Sequence, residues 1–442
     1  MSELPQKWVG LEFGTLNSFA SRNINPAEHP DEIFELYSVP VFPTGKPEIT
    51  KGKGIGSAKQ MVQPGDVLVC KINPRINRVW IVGAANGLRQ IASSEWIVMR
   101  ALGSDARYLR HYFASNDFRE LLCTDLTGVG GSLTRAQPKR VAAYEVPLAP
   151  LNEQTRIADK LDALLARVDA ARERLDRIPH ILKRFRQSVL AAATSGDLTE
   201  DWREGTSAEW KELVFDEACE EITVGYVGKM ADAYRSDGVP FLRSLNVRPF
   251  KFNPADMRFV SAEFHQTIIK SKLQPGDVVV VRSGAPGQCC VIPDELPEAN
   301  CSDLVIVRPK KTLLPKFACI FVNAEKSQTH IRSQQVGVAQ QHFNVKSMKE
   351  TPLLLPSTAE QSEIIRRVES LFAFADAVQA QYTAARARVD KLTPALLAKA
   401  FRGELVPQDP NDEPAEKLLA RLREANQGAA RPVKRGRKPT TA

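Results

Sequence analysis

A 46-residue stretch of this chain occurs twice, 207 positions apart and without a gap. Residues 153–198 open on Glu153-Gln154 and close on Gly196-Asp197-Leu198. Residues 360–405 open on Glu360-Gln361 and close on Gly403-Glu404-Leu405. Twelve pairs are identical, among them Ile157/Ile364, Leu164/Leu371, Asp169/Asp376 and Leu190/Leu397. A repeat at fixed offset constrains architecture before any local propensity does, and a period of domain size means tandem duplication rather than a solenoid. Two similar halves most naturally engage a target that also has two halves.

Apolar residues in the first copy fall at Ile157, Leu161, Leu164, Val168, Ala171, Leu175, Ile178, Leu182, Phe185 and Val189. The second runs Ile364, Val368, Leu371, Ala375, Val378, Tyr382, Ala385, Val389, Leu392 and Leu396. Steps of four and three alternate throughout, the seam of a helix that lies along another helix. Neither copy has a long partner within its own half, so pairing between the copies is the economical burial. About 40 helical residues reach roughly 60 Å. Thr358 with Gln361 reads as a capping box and Asn152 as its counterpart. Gly196 and Gly403 suit the left-handed residue past a helix end. Pro179 and Pro394 are expected to kink the rods.

Residues 1–150 and 205–356 precede the two helices (151–200 and 357–406) and echo each other. Trp8 and Trp210 open them, and Gln63-Pro64-Gly65-Asp66-Val67 is matched by Gln274-Pro275-Gly276-Asp277-Val278. Pro-Gly-Asp before β-branched residues is turn chemistry leading into a strand. Each segment reads as a compact α+β domain of about 150 residues. The predicted fold class is therefore α+β: two globular domains separated by two long helices in an antiparallel coiled coil. Residues 407–442 read as a linker, a short helix over Pro414–Ala425 and a basic disordered tail.

The net charge is +8, but Arg431, Lys434, Arg435, Arg437 and Lys438 carry five of it, leaving 8 − 5 = +3 elsewhere. Overall charge is thus a weak pointer to nucleic acid, and local arrangement has to do the attracting. Seven cysteines lack CxxC pairs and an even framework, which suits reduced thiols. No run approaches the ~18 apolar residues of a membrane span and no signal segment opens the chain, so a cytoplasmic location is expected.

Catalytic motifs are missing. Asn253-Pro254-Ala255-Asp256 and Phe13-Gly14-Thr15 do not meet the requirements of an adenine methyltransferase. Gly45-Lys46-Pro47 and Gly52-Lys53-Gly54 break the phosphate-binding loop pattern. Pro64-Gly65-Asp66…Lys71 lacks the second acid of a metal-dependent nuclease, and the six histidines show no metal spacing. The chain reads as non-catalytic, without metal or cofactor of its own.

Reading bases calls for Arg and Lys toward guanine and Asn and Gln toward adenine. Two loops per domain have that make-up. The first domain offers Lys71, Asn73, Arg75, Asn77 and Arg78, then Ser132, Thr134, Arg135 and Gln137. The second offers Arg243, then Arg282, Ser283 and Gln288, then Gln334, Gln335, Gln340, Gln341 and Asn344. Val129-Gly130 falls on Val336-Gly337 at the 207 offset, so the later loops correspond. The basic Gly45–Lys53 loop suits a phosphate contact or a flexible hairpin tip.

Pro147–Gln154, the seam from Ile157 and the string Ile178–Leu190 resemble the central conserved region of type I restriction–modification specificity subunits. Pro352–Gln361 and Leu392–Leu405 resemble the distal copy. The likeness covers the whole layout. It implies that residues 1–150 and 205–356 are target-recognition domains, each reading one half of a split asymmetric site on double-stranded DNA. It implies that the paired helices set the spacing and dock two methyltransferase subunits, joined by two restriction subunits. S-adenosylmethionine, ATP and magnesium are then expected on those partners and none on this chain. The alternatives are a coiled-coil adaptor with no nucleic-acid role, or a specificity chain serving a methylation-only or fused methyltransferase–nuclease system.

Overall fold

The computed structural model describes residues 4–100, 103–124, 134–203, 209–333 and 343–429. The chain divides into two units, Met1–Arg174 with Ala385–Ala442, and Leu175–Ala384. The two long helices, Leu151–Ser195 and Thr358–Phe401, run without interruption through Pro179 and Pro394. Each contributes one half to each unit.

In the first unit a five-stranded sheet runs in the order Asn23–Ile24, Lys59–Met61, Arg89–Ala92, Ile33–Tyr37, Glu48–Lys51. A three-stranded antiparallel sheet places Val67–Cys70 between Val79–Ile81 and Trp96–Met99. The second unit repeats this plan. Val278–Val281 lies between Cys289–Val291 and Leu304–Pro309, and a parallel pair, Val239–Leu242 with Ala299–Cys301, matches Ile33–Tyr37 with Arg89–Ala92. Helices Ala106–Phe113 and Asn116–Thr124 correspond to Pro315–Asn323 and Glu325–Ser333. Both Pro-Gly-Asp turns close alike. Asp66 Oδ2 accepts from the Gln63 N–H at 2.9 Å and Asp277 Oδ2 from the Gln274 N–H at 2.9 Å. The same two carboxylates, each almost wholly buried, receive Arg100 and Arg308. A buried carboxylate so paired is far costlier to lose than to keep.

The seam is buried as its periodicity predicts. In the first unit Ile157 and Leu161 pack in one core with Leu397, Ala400 and Phe401, with Leu165 and Leu396 at its edge. Arg172 Nε meets Asp390 Oδ1 at 3.4 Å. In the second unit Val189, Leu190 and Ala193 share a core with Ile364 and Val368. There Leu371 packs at the edge, and Arg186 bonds Asp376. Within each unit the two helix segments therefore run antiparallel. Val168 is buried, and Leu164, Leu175, Val378 and Val389 are half-buried. Leu392, in the expected stripe, is 43 % exposed, while Leu397 is buried instead. A straight helix drifts about 20° per heptad from a 3.5-residue repeat, so the apolar face rotates away by the last turns.

The second long helix is capped one residue earlier than predicted. Ser357 Oγ accepts from the Glu360 N–H at 3.2 Å, and Pro150 stands at the equivalent place in the first copy. Gly196 and Gly403 have φ of 93° and 73°, as residues past a helix end should. The C-terminal helix spans Ala415–Ala429, four residues beyond the predicted end. Its Leu418 and Leu419 join the first core, and the Ala415 N–H donates to Lys7 O at 3.0 Å.

Candidate nucleic-acid interface

The four loops expected to read DNA come together in pairs, one pair per unit. In the first unit the loop after Val67–Cys70 is stitched to the start of the segment leading to Pro138. The Asn73 N–H donates to Thr134 O at 2.8 Å, the Ala136 N–H donates to Lys71 O at 2.8 Å, and Ile72 bridges Arg135. In the second unit the loop after Val278–Val281 is stitched the same way. The Phe343 N–H donates to Arg282 O and Arg282 Nε donates to Phe343 O, both at 3.2 Å. Each unit therefore presents a single composite surface where the sequence suggested two separate loops.

A helix underpins each surface. Asn77 Nδ2 donates to Ser115 O at 3.3 Å, just before Asn116–Thr124. Gln328 Nε2, on Glu325–Ser333, donates to Gly287 O at 2.8 Å. Unusual backbone fixes the loop shapes. Asn73 and Asn77 both sit at φ 48°, a left-handed conformation that asparagine tolerates, and Gly284 and Gly287 hold φ of 84° and 88°. Asn73 Oδ1 and Asn77 Oδ1 are buried without an acceptor's partner. Unsatisfied buried carbonyls cost free energy, and they accumulate where a ligand completes the bonding.

The individual candidates divide by what already engages them. Arg75 is exposed, with no side-chain partner among the described residues. Lys71 is half-exposed in the same loop, and Arg78 folds back toward Ile72 O at 3.4 Å. Arg135 bonds Glu95 at 3.1 Å, Thr134 is buried, and Gln137 precedes the helix Pro138–Val141 with its side chain uncommitted to the cap. Arg282 is held by Asp303 Oδ1 at 3.0 Å, and Ser283 donates to Asp303 Oδ2 at 2.7 Å. Asn344 caps Val345–Lys349 through the Ser347 N–H. Gln288 is half-exposed at the loop's end. Arg243 lies apart from this surface, its guanidinium donating to Asp256 O at 2.7 Å. Ser132, Gln334, Gln335, Gln340 and Gln341 lie outside the described residues.

Sequence reading missed how each domain is fastened to its helix. Trp8 Nε1 donates to Glu153 Oε2 at 3.0 Å, and Trp210 Nε1 to Glu360 Oε2 at 3.1 Å. The adjoining glutamines also act alike. Gln154 Oε1 accepts from the Asp105 N–H and Gln361 Oε1 from the Leu314 N–H, while their amides return to Ala149 O and Pro356 O. This explains why Glu-Gln is identical in both copies. In the first unit Arg107, Arg110 and His111 also reach Asp162 on the helix. Burial and the neighbouring Arg110 push the His111 pKa down to about 4, so the ring meets Asp162 neutral.

All seven cysteines are free thiols, and among the described residues no group of His, Cys, Asp and Glu is placed to hold a metal ion. No helix among them is long and apolar enough to cross a membrane.

No protein-family model matches the chain. The type I restriction enzyme EcoKI specificity subunit of Escherichia coli strain K12 is 34 % identical over 310 residues, covering 68 % of this chain and 66 % of that protein. The EcoDI specificity subunit of Escherichia coli is 30 % identical over 313 residues, covering 64 % of this chain and 67 % of that protein. This chain belongs to the type I restriction enzyme specificity subunits. The match spans just under two thirds of the EcoKI subunit's length. Two solved structures share the specificity-subunit fold at 20 % identity. One, from work on assembly and conformational transition of the type I R-M system, has a TM-score of 0.71, covering 92 % of this chain and 100 % of its own. The other, the HsdS subunit from Thermoanaerobacter tengcongensis, scores 0.61 and covers 91 % and 98 %.

Proposed function

We propose that this chain selects the DNA site for a type I restriction–modification complex and performs none of its chemistry. Each unit reads one half of a bipartite, asymmetric sequence through its composite loop surface. The observation that carries this reading is the duplicated stitching, Asn73 to Thr134 and Arg282 to Phe343, in a member of the specificity family. Two reading surfaces of the same construction but different side chains suit two unrelated half-sequences. Arg75, Lys71 and Gln288 supply donors of the kind that discriminate bases in the major groove, while neighbouring cations hold phosphates.

The long helices are the spacer between half-sites and the platform for two modification subunits, which bring S-adenosylmethionine. Two restriction subunits bring ATP and magnesium. Methylation of an adenine requires taking the base out of the stack, a task for the partners.

Arg75→Ala tests the division of labour. In the complex with modification subunits, binding to DNA should weaken by about 5- to 150-fold, the worth of one specific contact. Duplexes scrambled in one half-site at a time should show discrimination lost for a single half. Equal loss of discrimination in both halves would overturn the reading.

A further inference from the structure

Beside the reading surface, the first unit carries a glycine-rich segment with an unneutralised cation beneath it: Gly52-Lys53-Gly54-Ile55-Gly56-Ser57-Ala58-Lys59. It connects strand Glu48–Lys51 to strand Lys59–Met61 in the five-stranded sheet. Two anchors fix it. A side chain at Gly52 would lie 2.2 Å from His29 O and 2.3 Å from Pro26 O, so only glycine fits there. Ile55 is buried with Phe34, Leu36 and Ile91.

Lys59 is 9 % exposed. Its ammonium donates to Ser57 O at 2.8 Å and Ser57 Oγ at 2.6 Å, and no carboxylate is paired with it. Nearby acids are engaged elsewhere: Asp31 by Lys51, Glu32 by Arg89 and His29, Glu28 by Asn25. Burial accordingly pushes the Lys59 pKa below the usual lysine range. Lys53 is exposed and likewise without a partner among the described residues. A buried charge without a counterion is costly, and a bound anion removes that cost.

The loop above is open to an anion. Gly56, Ser57 and Ala58 are exposed, and their N–H groups have no acceptor among the described residues. Nothing lies within 4 Å of where a Gly56 side chain would begin, and Gly54 has only Thr50 Oγ1 nearby, at 3.3 Å. Successive free N–H groups over a cation form an anion-binding concavity.

We infer that the Gly54–Lys59 loop, with Lys53 and Lys59, holds a backbone phosphate of the DNA bound by this unit. It positions the duplex without reading bases. The inference rests on the DNA-reading function proposed above, and its test separates the two. Binding of the complex with its modification subunits is followed on cognate and scrambled duplexes between 50 and 200 mM salt, for wild type, Lys59→Met and Gly56→Asp. One phosphate contact contributes about 0.9 to the salt slope, so each variant's affinity should fall about 3- to 4-fold less steeply over that range. Both duplexes should weaken alike. Lys59→Arg should keep the wild-type slope. Gly56→Asp places a carboxylate in open space, so it reads the site even if Lys59→Met misfolds. An unchanged slope in Gly56→Asp, or a loss confined to the cognate duplex, overturns the phosphate site. Failure of the wild-type complex to discriminate cognate DNA would instead overturn the function it rests on.

Discussion

Glu153 and Glu360 occupy the same place in the repeat, are both 1 % exposed, and both hold a tryptophan indole, yet replacing each by glutamine should have opposite results. Glu360 has three donors: Trp210 Nε1 at 3.1 Å, Thr199 Oγ1 at 2.8 Å and Arg203 Nη1 at 3.4 Å. At the 207 offset Thr199 and Arg203 become Val406 and Pro410, which donate nothing. Glu153 therefore keeps the Trp8 bond alone, and its Oε1 is buried without a partner. Burial raises its pKa, with Trp8 and Arg156 only partly opposing. Glu360→Gln turns two donors toward one amide and strands Arg203, a loss of about 1–3 kcal/mol per charged bond removed. Glu153→Gln supplies a neutral group where a charge was poorly solvated, so the second unit should lose about 2–3 kcal/mol while the first stays within about 1 kcal/mol of wild type or gains. Native-state hydrogen exchange over residues 153–161 and 360–368 reads the units separately. The sign also follows from linkage. A carboxyl whose folded pKa is raised binds more protons folded than unfolded, so stability falls as pH rises through that window. Glu153→Gln should remove that slope. Equal destabilisation of both units, or a larger loss in the first, would refute the reasoning.

The other predictions concern the same junctions. His111 has its folded pKa lowered to about 4, so the unfolded chain binds the extra proton and the first unit should lose protection as pH falls from about 6.5 to about 4. Thermal melts of His111→Asn across that range should show a flatter dependence; an unchanged slope counts against it. Leu161→Ala, at a fully buried seam position, should cost about 2–5 kcal/mol, whereas Arg172→Ala, removing exposed pairs to Asp169 and Asp390, should cost less than about 1 kcal/mol. Denaturant titration compares them, and similar costs would mean that charge pairing rather than burial holds the rods.

The rods were legible because helix periodicity survives divergence: every predicted position from Ile157 to Val189 is buried or half-buried. Leu392 misled because a fixed alternation of three and four ignores the slow rotation of a real helix. The deep likeness of the two domains was not legible. Their matching strands are offset by 211 residues at Asp66/Asp277 but 208 at Arg100/Arg308, so small insertions hide the correspondence. The candidate loops were found by composition, but their joining was not, since backbone hydrogen bonds leave no side-chain signature. Arg282 and Asn344 have the chemistry of base readers, and the structure commits both to local support. Lys59 gave a weak signal: a lysine on a strand beside glycines looks solvated until burial is known.

One consequence concerns synthesis. The second unit is a single run, Leu175–Ala384, whereas the first takes its core from both ends of the chain, Leu11 and Ile157 packing with Phe401 and Leu419. A nascent polypeptide can complete the second unit before the ribosome has made the residues that finish the first. The first-made domain is then the last to be closed, waiting with an open apolar flank for Leu397, Phe401 and the helix Ala415–Ala429 to emerge. Premature termination after Ala384 would spare the later unit and leave the earlier one unfinished.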